Sequence, residues 1–356
     1  MSSEVPGTFS HRAAQRKREL APYQYYAKPP QPTKKRRRRP RRPKRIVMLL
    51  ILLVLIGGSF GFYKWNAYKP DNHFRNLDAI GAKQSTQKSG TFNALLIGSD
   101  ARKGQHVSHT DTILLVHADL NRHRYNVLSI PRDTRVMLDG YGYTKLTSVQ
   151  YVSQLKSGTK QGTLDAVKAV SQLTGVPINY YAETDYKGMQ NLVDAVGGIT
   201  MKLPFDVTLT HAWYRENQGK TFKAGTYQLN GRMVTEITRE RYSLPGTDFG
   251  RQKLQQAALL GIARKAMDAK NVAKLPALIR SASKFLVATN MKTDDMISIG
   301  VALKNNFHPA KQIIYHQVKG ESTKMYDDVL QAANYEIILD RQQLKTIIAN
   351  YFKESE

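Results

Sequence analysis

The chain has 356 residues, 41% of them hydrophobic, and carries 54 Lys and Arg against 28 Asp and Glu for a net charge of +26. The part beyond residue 70 is long enough to bury a full core, which excludes disorder for most of the chain, and the basic balance points to anionic partners: nucleic acid, an anionic membrane face or a phosphate-rich polymer. The absence of cysteine excludes a disulfide scaffold, a thiolate metal site and a Cys nucleophile.

Residues 1–45 hold 15 Lys and Arg and two acids, Glu4 and Glu19. The basic run 34–45 is broken by Pro40 and Pro43 and has no apolar periodicity, so it reads as a disordered tail. Residues 46–63 are 18 positions without a charge, bounded by Arg45 and Lys64. At 1.5 Å per residue they span about 27 Å, close to the hydrocarbon core of a bilayer. Trp65 and Tyr68 stand where interfacial aromatics belong. The basic block before the run predicts a single-pass, uncleaved anchor with a cytoplasmic N-terminus and an extracellular domain. No small-x-small cleavage pattern follows the run.

Residues 64–91 read as a stalk or linker. Beyond them 92–98, 112–118 and 125–130 are short β-rich apolar runs and are expected to be strands. Helical spacing covers 163–173. Residues 180–183 read as a strand, Asp185 as the cap of a helix to Val196 that Gly197-Gly198 ends, and 199–203 as another strand. Helices are expected over 251–267, 274–287, 293–303 and 342–352, with a strand at 312–318. Strands alternating with helices predict an α/β domain in α-β-α layers over 92–356.

Several motifs carry no chemistry. Gly57-Gly-Ser59-Phe-Gly61 matches a nucleophile elbow but falls inside the apolar run. Four S-x-x-K matches lack their companion motifs, and no P-loop or dinucleotide fingerprint occurs. His106-x-x-His109-x-Asp111 reads as a polar loop rim, since no regular conformation presents all three side chains on one face.

The chemistry lies in acids and arginines near strand ends: Asp100 and Arg102 after the first strand, Asp111 opening the second, Arg132 and Asp133 after the third. Arg239, Arg241, Asp248, Arg251 and Gln255 follow later. An acid ending one strand and an acid opening its antiparallel neighbour share one edge, and together can hold Mg²⁺ with a phosphate. Converging arginines suit a pyrophosphate through charge-assisted bonds. The alternative is a set of surface salt bridges.

The series LLIGSDAR (95–102), TDT (110–112), LSIPRDT (128–134), LVDAVGG (192–198), LNG (229–231), RER (239–241) and DFGR…Q (248–255) resembles the LytR-CpsA-Psr family of Gram-positive cell-wall enzymes, in the family's order. The resemblance implies an α-β-α sandwich around a mixed central sheet, with an apolar cleft for a lipid. It also implies a phosphotransferase that passes a glycopolymer (wall teichoic acid, capsular or related polysaccharide) with one phosphate from a polyprenyl-pyrophosphate carrier to a peptidoglycan hydroxyl. Carried over by motif, Asp100 and Asp111 would hold Mg²⁺ (or Mn²⁺). Arg102, Arg132, Arg239, Arg241, Arg251 and Gln255 would bind the pyrophosphate, with Asp248 orienting the arginines and Lys145 at the family's Lys-Ile-Asn segment. Asp111 or Asp133 would take the acceptor's proton, and the residues do not choose between them. His109, Thr147 and Leu254 depart from the family's usual Arg, Asn and Arg. Two competing readings are a lipid-pyrophosphate hydrolase with the same site and a non-enzymatic envelope regulator or transcriptional attenuator. No nucleic-acid partner is expected, because only the tail would face DNA.

Overall fold

The computed structural model describes residues 65–352 apart from 84–86, 103, 106, 273, 305 and 306, together with Ser59 and Tyr63. The expected tail at 1–45, and all of the expected anchor at 46–63 except Ser59 and Tyr63, lie outside the described residues. Among the described residues no helix is long and apolar enough to cross a membrane.

The centre is a mixed six-stranded sheet. Its strands are β1 (Thr91–Ser99), β2 (Thr110–Asp119), β3 (Arg124–Ser129), β6 (Tyr180–Asp185), β11 (Leu286–Thr289) and β12 (Ile313–Gln317), in the order β11-β6-β1-β2-β3-β12. β1 runs antiparallel to β2 and parallel to β6; β3 is antiparallel to β2 and parallel to β12. Alternation along the strands divides the apolar residues between two faces. Leu95, Ile97, Leu115 and Leu128 face one core, where they meet Val149, Val167 and Val170 of α2 (Leu146–Thr174) and Ile347 and Ile348 of α10 (Arg341–Tyr351). Phe92, Ala94, Ala118 and Tyr180 face the other, against Phe74 and Ile299 of α8 (Thr293–Leu303).

Part of the segment read as a stalk belongs to this packing. The one-turn helix α1 (Pro70–His73) leads into Phe74, which is fully buried, and Ile80 bridges Ile178. The helix expected over 274–287 is shorter. α7 (Leu275–Ala282) gives way to a 3₁₀ turn, and 286–289 become edge strand β11 because β6 offers it a hydrogen-bonding partner. Two hairpins also escape the local pattern. β4 (Arg135–Leu138) with β5 (Gly142–Lys145), and β13 (Gly320–Asp327) with β14 (Ala332–Leu339), are joined by a Thr134–Ile337 bridge and an ion pair between Arg135 and buried Glu336.

A third core lies under α3 (Tyr186–Ala195), β7 (Ile199–Leu203), β10 (Gly225–Leu229), α4 (Gly231–Arg239) and α5 (Asp248–Ala266), with Val193, Met201, Val234, Ile237 and Leu254 at its centre. The short pair β8 (Val207–Thr208) and β9 (Thr221–Phe222) extends it. Helices α6 (Ala269–Val272) and α9 (Pro309–Gln312) are single-turn connectors. Two of the quoted motifs meet here for architectural reasons. In LNG, Leu229 is core, Asn230 caps α4 by accepting from the Met233 N–H, and the Gly231 N–H donates to Asp194 of DAVGG at 2.7 Å. Gly198 turns at φ 78° against the Leu229 carbonyl. A Cβ on Gly231 would stand 2.1 Å from the Gln190 carbonyl oxygen, so α3 and α4 can approach only if that residue has no side chain.

Gly231→Ala is therefore expected to push α4 away from α3 and to lower stability by about 1–3 kcal/mol. Chemical denaturation checks this as a lowered midpoint at unchanged slope.

Candidate active site

The carboxyl ends of β1 and β3 and the start of β2 share one edge of the sheet, and the expected acids and arginines gather there. The β1–β2 ladder is interrupted at that edge. Gly98 pairs with Thr112 and Ser99 with Thr110, which leaves Asp111 as the extra residue of a bulge. A bulge re-aims a side chain that regular pleating would place elsewhere. Asp111 accepts from the Arg132 guanidinium on one oxygen and from the Tyr186 hydroxyl on the other.

The Arg132–Asp133 turn is pinned through its backbone. The Arg132 carbonyl accepts from the Thr147 N–H at 2.9 Å, the Thr134 carbonyl from Leu146 at 2.8 Å and the Asp133 carbonyl from Ile337 at 2.8 Å. Asp133 is 7% exposed and stands among three cations: Lys145 at 3.2 Å, Arg241 at 3.1 Å and Arg132 at 3.9 Å. Burial alone would lower the Arg132 pKa, but the carboxylates of Asp111, Asp133 and Asp248 outweigh it and hold the pKa above its ordinary value. Arg251, on the first turn of α5, pairs with buried Asp248 and donates to the Asp111 carbonyl at 3.3 Å. Arg132 Nε, Arg251 Nε and Arg239 Nη1 are buried with no hydrogen-bond partner among the described residues. Such orphaned donors suit an anion rich in acceptors.

The RER motif divides its work. Arg241 reaches Asp133, whereas Arg239 lies over the rings of Tyr186 (4.9 Å) and Trp213 (4.6 Å). Glu240 points away from the cations and is structural. It accepts from the backbone N–H groups of Thr210, Arg241, Tyr242 and Ser243, which fixes the turn that separates the two arginines. Burial opposes its ionisation, but these bonds and the Thr210 hydroxyl hold its pKa below the ordinary value.

Asp100 lies at the same edge and faces His109. The His109 N–H donates to it at 2.6 Å and the ring nitrogen lies 3.4 Å away, with the ring stacked on Tyr151. Burial works against the charged form of Asp100; the His109 bonds and the charges of His109 and Arg102 overcome it and lower the pKa. Among the described residues no group of three or more His, Cys, Asp or Glu could hold a metal. Asp100, just past β1, and Asp111, in the bulge of β2, stand at this edge; both oxygens of Asp111 already accept, from Arg132 and Tyr186, and one oxygen of Asp100 accepts from the His109 N–H. His106 lies outside the described residues. Of the departures, Leu254 is fully buried in the third core, and Thr147 is buried with its N–H on Arg132.

Behind the cluster an apolar cavity of about 230 Å³ opens. Its floor is one face of the sheet: Leu96, Gly98 and Thr112, with Leu114 and Ala182 cross-strand from Leu96. Its roof comes from Met189 and Leu192 of α3 and from Ala258, Leu259 and Ile262 of α5, and Arg239, Arg251 and Gln255 line it as well. An apolar chamber walled in part by guanidinium groups can hold a lipid chain with its charged head outward.

Residues 62–353 match the LytR_cpsA_psr family. This chain belongs to that family. It is 27% identical over 286 residues to the polyisoprenyl-teichoic acid–peptidoglycan teichoic acid transferase TagU of Bacillus anthracis, covering 77% of this chain and 86% of that protein. Among solved structures it is similar to TagV of B. subtilis (TM-score 0.59, 26% identity, 72% of this chain and 94% of that one). It is also similar to Lin1025 of Listeria innocua (TM-score 0.54, 29% identity, 73% and 95%). The mixed sheet with helices on both faces is thus the fold of the family.

Family membership directs attention to the cations, but two aromatic residues among them were not expected from the sequence. Tyr186 follows the Asp185 cap, whose carboxylate accepts from the Gly188 N–H at 2.6 Å, so the first residue of α3 is turned toward Asp111. Trp213 is one of only two tryptophans and sits in a loop with no motif. Only its unusual residue type could have marked it.

Because the folded pKa of Glu240 is depressed, its stabilisation is present above the unfolded value near 4.5 and is lost as pH falls through the folded value. Glu240→Gln is expected to be less stable than the parent at neutral pH, with the difference shrinking below pH 4.5. Denaturant midpoints measured across that range check it.

Proposed function

We propose that this chain is a glycopolymer phosphotransferase that works at the outer face of a membrane. Its donor is a glycopolymer on a polyprenyl-pyrophosphate carrier, and its acceptor is a hydroxyl of peptidoglycan. The observation that carries this reading is the junction of an apolar cavity, lined in part by Arg239 and Arg251, with an arginine cluster in which three buried N–H groups have no partner among the described residues. The name of the TagU relative, a teichoic acid transferase to peptidoglycan, supports the substrate class.

In this reading the lipid lies between the sheet and α5, and the pyrophosphate meets Arg132, Arg239, Arg241, Arg251, Arg102, Lys145 and Gln255. The acceptor oxygen attacks the phosphorus that bears the glycan. The bond to the bridging oxygen breaks, and polyprenyl monophosphate leaves with its electron pair. Such a step depends on neutralising charge on both phosphates more than on a protein nucleophile. The arginines, fixed in advance by carboxylates and backbone, meet that charge without rearrangement. Asp111 or Asp133 takes the acceptor's proton. Mg²⁺ held by Asp100 and Asp111 would add positive charge beside the phosphates. The apolar run at 46–63 supplies the anchor, with the basic tail cytoplasmic and the domain outside. The part from residue 70 is itself net basic, which suits work beside an anionic wall.

The test is transfer by the purified full-length chain with Mg²⁺, a lipid-pyrophosphate-linked sugar and a short peptidoglycan oligomer, read as the mass of the acceptor. The expected result is a gain of sugar plus one phosphate, reduced by about 10²–10³-fold in Arg132→Ala with the fold retained. Consumption of donor with no change in the acceptor would instead identify a hydrolase, and full activity in Arg132→Ala would reject the site.

A further inference from the structure

The cations of the cluster are held in two different ways. Arg132, Arg241 and Arg251 each pair with a carboxylate, respectively Asp111, Asp133 and Asp248. Among the described residues neither Arg102 nor Arg239 is hydrogen-bonded to a carboxylate. The acid nearest Arg239 is Glu236 at 3.9 Å. Both guanidinium groups lie instead over the ring of Trp213, Arg102 at 4.9 Å and Arg239 at 4.6 Å.

The Trp213 ring is set in place from beneath. Glu236 of α4 is 3% exposed and accepts from the backbone N–H groups of Trp213 at 2.9 Å and Tyr214 at 2.8 Å. Those two bonds occupy both of its oxygens, one each. The Tyr186 ring meets Trp213 at 5.6 Å and 67°, and the same Tyr186 donates its hydroxyl to Asp111. Trp213 is 45% exposed, so apolar burial alone does not account for a large ring here.

The two kinds of partner differ in what they leave for a ligand. A carboxylate orients a guanidinium and also cancels its charge. A ring face orients it through the π quadrupole and cancels none. Arg102 and Arg239 are therefore the members of the cluster positioned by a ring face, with Asp100 and Glu236 respectively acting on them through space and not through a hydrogen bond.

We propose that Trp213 is a positioning residue of the transfer site, holding Arg102 and Arg239 over its ring so that both present guanidinium groups free of any carboxylate hydrogen bond to the pyrophosphate of the donor. The inference rests on the phosphotransferase reading, and its test separates the two. In the full-length chain carrying Trp65→Phe, Trp213 is the sole tryptophan. Its emission is expected to change as inorganic pyrophosphate draws the two guanidinium groups.

Replacing Trp213 by Leu in the otherwise unaltered chain removes both ring contacts. It is expected to weaken pyrophosphate binding, measured by calorimetry, by about tenfold. It should raise KM for the lipid-linked donor more than it lowers kcat, with an unchanged thermal midpoint. Trp213→Phe keeps a ring face and is expected to retain most of the affinity. Equal pyrophosphate affinity in Trp213→Leu and the parent, or equal losses in the Phe and Leu variants, would overturn the positioning role. A parent chain that binds no pyrophosphate would overturn the pyrophosphate site itself, and the role of Trp213 with it.

Discussion

Mutual repulsion among convergent guanidinium groups is the constraint on which the rest of the site depends. Two such charges about 6 Å apart repel by about 3 kcal/mol at an effective dielectric near 20. The chain meets this cost by interleaving opposite charge. Asp111 stands against Arg132, Asp133 among Arg132, Arg241 and Lys145, and Asp248 beside Arg251. Where no carboxylate is supplied, ring faces take over. Each of these partners is in turn fixed by a structural element: a bulge for Asp111, a turn tied to α2 and β14 for Asp133, and the first turn of α5 for Asp248.

This arrangement explains why the chemistry sits at one end of the sheet. Antiparallel pairing of β1, β2 and β3 brings two strand ends and one strand start to the same edge. The pleat then separates two duties. Leu95 and Ile97 go into the core beneath α2, while Leu96 and Gly98, on the opposite face, floor the apolar cavity. One strand therefore carries the packing that stabilises the domain, the wall of the lipid chamber, and, just past its end, Asp100.

The motifs that suggested the family are not all chemical. LNG and DAVGG lock α4 onto α3 through a cap, a backbone bond to Asp194 and a position where no Cβ fits. RER places two cations on either side of an acid that serves the Thr210 hydroxyl and the backbone of the adjoining turns. These residues contribute to the cluster indirectly, since α4 delivers Arg239 and the turn after it delivers Arg241.

What the sequence determined by itself was whatever local pattern could encode. Short β-rich apolar runs marked β1, β2 and β3, and the Asp185 cap and Gly197-Gly198 stop marked α3. Spacing marked α8, and charged residues at strand ends named the cations and acids of the cluster. Tertiary structure decided the remainder. Residues 286–289 became a strand because β6 had a free edge, and Phe74 left a presumed stalk because an apolar pocket awaited it. The hairpins β4–β5 and β13–β14 are stabilised by one another. The same holds for the site. Which acid holds which arginine, the re-aiming of Asp111, and the placing of Tyr186 and Trp213 among the cations all depend on contacts between residues distant in the chain. Spacing along a sequence encodes which face of an element a residue occupies; it does not encode which other element will lie against that face.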